Sequence, residues 1–163
     1  MMAMTPEAEY RFQIVNGHEW HDRLDPLYRQ HYAEMEARLK RDGIPIGAYN
    51  PRLSEYFKAM DGGWLITYTV QQNETVVGYS NVYLTNDMHN DDFIAQEDTI
   101  YVLPEHRNGL GKKLVKFVLA DLAKRGVKRG NVSPVTDLRV GKIWQRMGFR
   151  PTAQLMTYVF EGN

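Results

Sequence analysis

Two short stretches carry residue types that could do chemistry, and they adjoin. Pro104-Glu105-His106-Arg107-Asn108-Gly109-Leu110-Gly111-Lys112-Lys113 is a basic, glycine-containing turn bounded by proline. It follows an apolar run ending Ile100-Tyr101-Val102-Leu103 and precedes an amphipathic run starting at Leu114. A strand feeding a glycine turn and a helix start is suited to hold an anion. The first helical N–H groups have no intrahelical acceptor, and the helix dipole is positive there. Glycines let the backbone come close to a phosphate, and successive amides form a nest around it. Just upstream, Glu97-Asp98 places two carboxylates side by side. Neighbouring residues of a regular strand face opposite sides, so one face receives only one of them.

The elements that must position these residues are legible in the hydrophobic pattern. Gly109 to Arg125 carries Leu110, Leu114, Phe117, Val118 and Leu122 on one stripe, with lysines opposite and Gly126 as the stop. Phe93 to Leu103 reads as the strand before the turn, and Thr85 to Asp92 as the polar loop before that strand. Trp64 to Gln71 and Thr75 to Leu84, flanking Gln72-Asn73-Glu74, predict an antiparallel hairpin. Upstream, Arg11 to Val15 reads as an edge strand, and Asp22 or Asp25 before Pro26 opens a helix. That helix runs through Leu27, Tyr28, His31, Tyr32, Met35 and Leu39 to Asp42-Gly43. Ile44 to Pro51 is an apolar, aromatic loop, and Arg52 to Met60 a second short helix. After the central helix come a strand at Val127 to Val132, a helix at Asp137 to Met147 and a last β segment at Phe149 to Phe160. The order β-α-α-β-β-β-α-β-α-β predicts an α/β or α+β fold with a mixed sheet. Residues 1–163 form one expected domain, with 1–9 as a loose tail.

The totals bound the possibilities. The chain has 163 residues, 43% apolar and 25% charged, enough for a sizeable core. Formal net charge is zero, which gives no general case for nucleic acid or membrane as a partner. Locally, Pro104 to Arg150 holds twelve Lys and Arg against three Asp and Glu. Thr85 to Asp98 holds five acidic residues and no Lys or Arg. Each run reads first as a solvated face; the acidic one also suits a cationic acceptor. There is no cysteine, so no disulfide, thiol nucleophile or thiolate metal site. His21 and His89 have no metal-site spacing, and no metal is expected. The N-terminus lacks a signal-peptide pattern and no apolar run is long enough to span a membrane; a cytoplasmic protein is expected.

This order of elements, with a basic glycine turn between the fourth strand and the third helix, resembles the GNAT superfamily of acyl-coenzyme A N-acyltransferases. The likeness is densest from Asp98 to Phe149. A looser likeness to a phage and bacterial subgroup rests on His31-Tyr32-Ala33-Glu34-Met35, Asp42-Gly43-Ile44-Pro45 and Tyr56. The family's cofactor motif is Arg or Gln, two residues, Gly, one residue, then Gly or Ala. Gly109 and Gly111 take the glycine slots, which puts His106 in the first slot with Arg107 beside it. A second block, Ile143-Trp144-Gln145-Arg146-Met147-Gly148-Phe149, matches the family's aromatic residue four before a Gly-Phe pair. A third class, another type of nucleotide-binding domain, is disfavoured. The turn has no Gly-Lys-Ser/Thr ending and no Gly-x-Gly-x-x-Gly.

The resemblance implies a mixed, mostly antiparallel central sheet with helices on both faces and strands 4 and 5 splayed. It implies acetyl-coenzyme A as acyl donor and the primary amine of a small molecule or protein as acceptor. Its pyrophosphate would lie on the amides of Arg107, Asn108, Gly109, Leu110, Gly111 and Lys112, with His106, in the motif's first slot, also among the cofactor-binding residues. Val102 and Leu103 would bond the pantetheine, and Trp144 would wall it. Many members dimerise, so a homodimer is a possible state. An amine must be neutral to attack, so a carboxylate near the thioester is a base candidate. By the resemblance that base is Glu97, with Asp98 as the alternative. Departures bear on the acid. The usual tyrosine, whose hydroxyl protonates the leaving thiolate, is replaced by Trp144, an indole that cannot release a proton at usable pH. Asp137 and Val140 replace the usual asparagine and alanine. Tyr158 or solvent is left to supply the proton. His31, Glu34, Tyr49 and Tyr56 come from the segments that lie over the acceptor side in this fold. The same departures support an alternative, a GNAT-like module that binds coenzyme A, lacks strong catalysis and acts through protein contacts.

Overall fold

The computed structural model describes residues 9–133 and 140–161. Its secondary structure runs β1 (Tyr10–Val15), α1 (His21–Arg41), α2 (Leu53–Asp61), β2 (Leu65–Gln72), β3 (Thr75–Asn86), β4 (Phe93–Val102), α3 (Leu110–Lys124), β5 (Arg129–Asn131) and α4 (Val140–Arg146). A single 3-10 turn, Pro104–His106, separates β4 from α3. The chain divides into two compact units. Of the described residues, 9–28 and 52–132 make one, and 29–51, 133 and 140–161 the other. Among the described residues no helix is long and apolar enough to cross a membrane.

The first unit holds the whole sheet, ordered β1-β2-β3-β4-β5. The first three pairings are antiparallel and β4–β5 is parallel. The β2–β3 hairpin closes on Asn73 and Glu74, both at positive φ (49° and 70°), the geometry whose twist suits a two-residue hairpin turn.

Period-two alternation sorts the sheet into two faces. Ile66, Tyr68, Val70, Val82, Ala95 and Val102 pack against Leu110, Leu114, Val118 and Leu122 of α3. The i, i+4 spacing of those leucines and valine is what makes α3 a helix with one buried stripe. Its end is fixed by backbone bonds from Gly126 N–H to the Ala123 carbonyl (3.1 Å) and Val127 N–H to the Leu122 carbonyl (3.1 Å). Those are the two bonds of a Schellman cap, with Gly126 at φ +82°. Tyr68 donates to Asp121 Oδ2 at 2.6 Å, tying α3 to β2. On the opposite face, Leu24 and Leu27 of α1 pack on Val76, Tyr79 and Tyr101. Ala59 and Met60 of α2 pack beside them on Leu65, flanked by Tyr56 and Tyr83. Helices thus cover both faces of the sheet.

In the second unit, Tyr32 and Tyr49 rings lie 5.3 Å apart, Tyr32 donates to the Gly47 carbonyl, and Arg29 caps the Tyr49 ring at 5.0 Å. Trp144 of α4 meets Phe149 edge-on at 4.8 Å.

Three boundaries differ from the sequence reading. The strand expected over 127–132 shortens to β5, three exposed residues. The helix expected from Asp137 is described only from Val140, and Asp137 lies outside the described residues. The β segment expected at Phe149–Phe160 forms no strand among the described residues. Leu155, Met156, Tyr158 and Phe160 are all more than three-quarters exposed there. A strand exists only through its ladder partner, and the pattern of one segment does not name that partner.

Candidate acyl-transfer site

β4 is the element on which the candidate residues converge. Against β3 its register runs Thr99↔Asn81 and then Glu97↔Val82, so Asp98 is an extra residue, a β-bulge. Against β5 it pairs only at Ile94↔Arg129, Ala95↔Gly130 and Gln96↔Asn131. Past Gln96, β4 has β3 alone as a partner among the described residues. The two strands therefore fork at Glu97. A bulge bends its strand, and the bend here falls where pairing with β5 ends.

The bulge also decides where the two carboxylates lie. Glu97 follows Ala95 by two residues and sits opposite Val82, both packed against α3. Asp98 is on the other face, where the Tyr56 hydroxyl of α2 donates to its two oxygens at 3.2 and 3.4 Å. Thr99, opposite Asn81, shares that face. Asn81 accepts from Thr67 Oγ1 at 2.8 Å and donates to the Tyr28 hydroxyl at 3.3 Å. Burial and the Asp98 charge also raise the Tyr83 hydroxyl, and sequence reasoning missed Tyr28, Tyr83 and Asn81 as neighbours of this point. Their only signal was membership of the predicted hairpin and first helix.

The electrostatics of the pair differ. Glu97 Oε2 is buried and has no hydrogen-bond partner among the described residues. Burial first, and then the adjacent Asp98 charge, push the Glu97 carboxyl up to about 8. Asp98 is also raised by burial, but the Tyr56 hydrogen bond opposes that rise. Burial and the Asp98 charge hold the Tyr56 hydroxyl well above the ordinary phenol value, so it stays a donor.

The glycine turn has the form an anion cradle requires. Gly109 is the N-cap of α3 at φ +78°, and no side chain caps the helix. The backbone ladder resumes only at Lys113, whose N–H bonds the Gly109 carbonyl at 3.3 Å. That leaves the first-turn amides of Leu110, Gly111 and Lys112 outside the helical ladder. A Cβ on Gly109 would meet nothing within 4 Å, and one on Gly111 only Val102 Cγ2 at 4.0 Å. The backbone here is open to a ligand rather than packed. Leu110 is buried as the first rung of the α3 stripe, while Asn108 and Lys112 are exposed. These residues fit the diphosphate of a coenzyme A.

The side chains flanking the cradle have partners within the protein. His106 Nδ1 and the Tyr10 hydroxyl share a hydrogen bond of 2.9 Å. Arg107 Nε donates to the Val102 carbonyl at 2.8 Å, and its guanidinium lies over Tyr101 at 5.3 Å. Leu103 N–H bonds the Val77 carbonyl at 2.9 Å, so alternation turns the Val102 backbone toward the fork. At Val102 the fork-facing group left for a ligand is its N–H.

The acidic run is partly neutralised from within. Arg129 bonds Asp87 and, at 2.9 Å, Asp92, which also accepts from Lys128 at 2.9 Å. Hydrogen bonds from His89 to Asp87, and from Lys128 and Arg129 to Asp92, hold both carboxyls below the usual range. This clamp fastens the start of β5 to the β3–β4 loop. Other sequence candidates fall in the second unit. His31 and Glu34 are half-buried on α1, and Tyr49 packs as described. Trp144 is buried, and its Nε1 has no partner among the described residues. Tyr158 is 79% exposed with its ring against Phe160.

Comparison with known proteins agrees with this architecture. No curated protein sequence matches the chain. Similar solved structures include a ribosomal-protein-alanine N-acetyltransferase from Brucella melitensis biovar Abortus 2308, 14% identical, covering 95% of this chain and 99% of its own, TM-score 0.70. A mutant of the BH1408 protein from Bacillus halodurans is 16% identical over 92% of this chain and 99% of its own, TM-score 0.72. The aminoglycoside N-acetyltransferase AAC(6')-Iy, in complex with CoA, is 16% identical over 98% of this chain and 100% of its own, TM-score 0.62. At such identities these structures speak for the fold. Residues 18–149 match the acetyltransferase (GNAT) family, and the chain belongs to that family.

Proposed function

We propose that the protein is an acetyl-coenzyme A-dependent N-acetyltransferase acting on a primary amine of a small molecule or protein. The observation that carries this reading is the continuous path from the α3 cradle along β4 to the fork. An open glycine N-cap lies at one end and two carboxylates on opposite faces of β4 lie at the other.

The amides of Leu110, Gly111 and Lys112 hold the diphosphate, and the Val102 N–H bonds the arm. The bound thioester supplies the activated acetyl group. Asp98 accepts the proton of the attacking amine. It lies on the face covered by α1 and α2, away from the α3 core, and Tyr56 orients it. Glu97, on the α3 face, is set apart from that role. Two of the similar structures are named for acetylation of different acceptors, an aminoglycoside and a ribosomal-protein alanine. They support the acceptor class as an amine and leave its identity to assay.

Differential scanning fluorimetry with acetyl-coenzyme A tests the first half, and thiol release against kanamycin, spermidine and an alanine-initial hexapeptide tests the second. Stabilisation with turnover is expected. Stabilisation without turnover on any amine favours a coenzyme A-binding module, a reading to which Trp144 in place of a tyrosine also points. No stabilisation overturns both.

A further inference from the structure

The proposed transfer needs a proton donor for the departing sulfur, and Trp144 occupies the position where the family resemblance leads one to expect a tyrosine. Among the described residues of the first unit, one acid that the scheme above does not use has a buried carboxyl oxygen without a partner. Glu97 is the first β4 residue beyond the last β5 pair, so it stands at the apex of the fork. Its Oε2 is buried and bonds nothing among the described residues. A buried carboxyl oxygen without a partner is costly unless it carries a proton or meets a ligand. From the cradle end at Val102 back to Glu97 is five residue steps, about 17 Å at the rise of a strand. That is the scale of an extended pantetheine arm.

We propose that Glu97 is the general acid of the transfer, donating its carboxyl proton to the sulfur of the leaving coenzyme A. This rests on the acetyltransferase reading above. The bonding balances. The acceptor nitrogen forms a C–N bond to the acetyl carbonyl carbon, and the C–S bond breaks with its electron pair going to sulfur. Asp98 takes the proton lost by nitrogen, and Glu97 gives sulfur the proton that makes the free thiol. Solvent then carries a proton from Asp98 back to Glu97, which resets both groups.

The surroundings favour this division. Asp98 is the charge that bears on Glu97 from its own strand, and it disfavours a second anion there. α3 presents Leu114, Val118 and Leu122 to this face, and its one carboxylate, Asp121, is held by Tyr68 and Arg125. From β3 the facing residue is Val82. On β5, Arg129 is taken by Asp87 and Asp92. Among the described residues no cation is therefore positioned to ionise Glu97, and burial with the Asp98 charge pushes its carboxyl up to about 8. Burial raises both carboxyls, but only Asp98 has a hydrogen bond, from Tyr56, that opposes the rise. Unlike environments of this kind suit one carboxyl to give a proton and the other to take one.

The experiment compares wild type with Glu97→Gln, which keeps volume and a donor but cannot transfer a proton. Turnover is followed by thiol release from acetyl-coenzyme A with the best of kanamycin, spermidine and the hexapeptide. The variant is expected to lose on the order of 10²-fold in kcat, with KM for acetyl-coenzyme A within about 3-fold. The ratio of wild-type to variant kcat cancels acceptor ionisation, and it should fall as pH rises through about 8. A ratio that rises with pH makes Glu97 a base, and a flat ratio makes it structural; either overturns the proposal. In the protein without acetyl-coenzyme A, the 13C-labelled glutamate carboxyl resonance lost in the variant should be that of a protonated acid at pH 7. A carboxylate resonance there overturns the proposal independently of activity. Absence of wild-type turnover would instead overturn the acetyltransferase reading and this role with it.

Discussion

Two glycines at opposite ends of α3 give a controlled test of the cradle. Gly109 caps the start of the helix at φ +78°, and Gly126 lies past its end at φ +82°. A Cβ built on either meets nothing within 4 Å, so neither substitution to alanine creates a clash. Both variants are left with the same conformational penalty, a left-handed alanine, of about 1 kcal/mol. In a chain of this length 1 kcal/mol lowers Tm by about 2–4 °C. Gly109→Ala and Gly126→Ala should therefore be equally and mildly destabilised. They should differ on coenzyme A. Only the Gly109 methyl group stands among the amides of Leu110, Gly111 and Lys112. Losing one charge-assisted N–H bond to the diphosphate there costs about 1.5–3 kcal/mol, which is roughly 10- to 100-fold in Kd. Calorimetric titration of coenzyme A into both variants, alongside thermal unfolding, reads the two effects separately. If Gly109→Ala binds as tightly as Gly126→Ala, the diphosphate is not held at this helix start and the cradle assignment is wrong.

Other outcomes follow from the same geometry. Tyr56→Phe removes the hydroxyl that holds Asp98 down, so the Asp98 carboxyl rises and the acid limb of kcat/KM should move to higher pH; an unmoved limb removes Asp98 from the role of base. Glu97 keeps its proton up to about pH 8 when folded but only to about 4.5 when unfolded. Between those values the folded state binds more protons, so wild-type stability should fall relative to Glu97→Gln as pH rises from about 4.5 to about 8. The slope cannot exceed about 1.4 kcal/mol per pH unit, and urea unfolding at pH 5, 6.5 and 8 measures it; a constant difference contradicts the assignment. Arg129→Ala removes one partner each from Asp87 and Asp92, leaving Lys128 on Asp92. Amide exchange at Gly130 and Asn131 should then rise by about tenfold, with α3 amides unchanged; equal exchange would show that β5 is held without Arg129.

Much of this was open to a reader of the chain because local rules fix it. The α3 stripe from Leu110 to Leu122, the stop at Gly126 and the hairpin around Asn73-Glu74 each follow from residues within a few positions of one another. The glycine turn and the helix start at Leu110 were equally legible, since glycine spacing and helix entry are sequence properties. The fork was suggested only by family likeness. It depends on β4 meeting β3 along its length and β5 for three residues, and pairing across more than thirty positions leaves no local trace. The reach of the acidic run was also hidden. Asp87 and Asp92 read as solvent-facing charges for a cation, and the fold supplies Lys128 and Arg129 from the far end of α3. The segment 149–160 shows the same limit, for its apolar content implied a ladder and named no partner.

The bulge shows why strict alternation predicted the separation of Glu97 from Asp98 but not its use. Val82 and Asn81 are consecutive on β3, and they face Glu97 and Thr99. The ladder on either side keeps its faces, so Asp98 is an added side chain rather than a displaced one. Deleting it would leave a regular strand with Glu97 still toward α3 and Thr99 still toward α1. What the insertion contributes is a second carboxyl on the α2 side, within reach of Tyr56. It also contributes a bend where β5 stops following. Two like charges on one face would have to share a proton. On opposite faces, one under apolar α3 and one under a tyrosine hydroxyl, each can take a different part in moving a proton. A single extra residue thus accounts for the opening of the sheet and for the difference between the groups that line it.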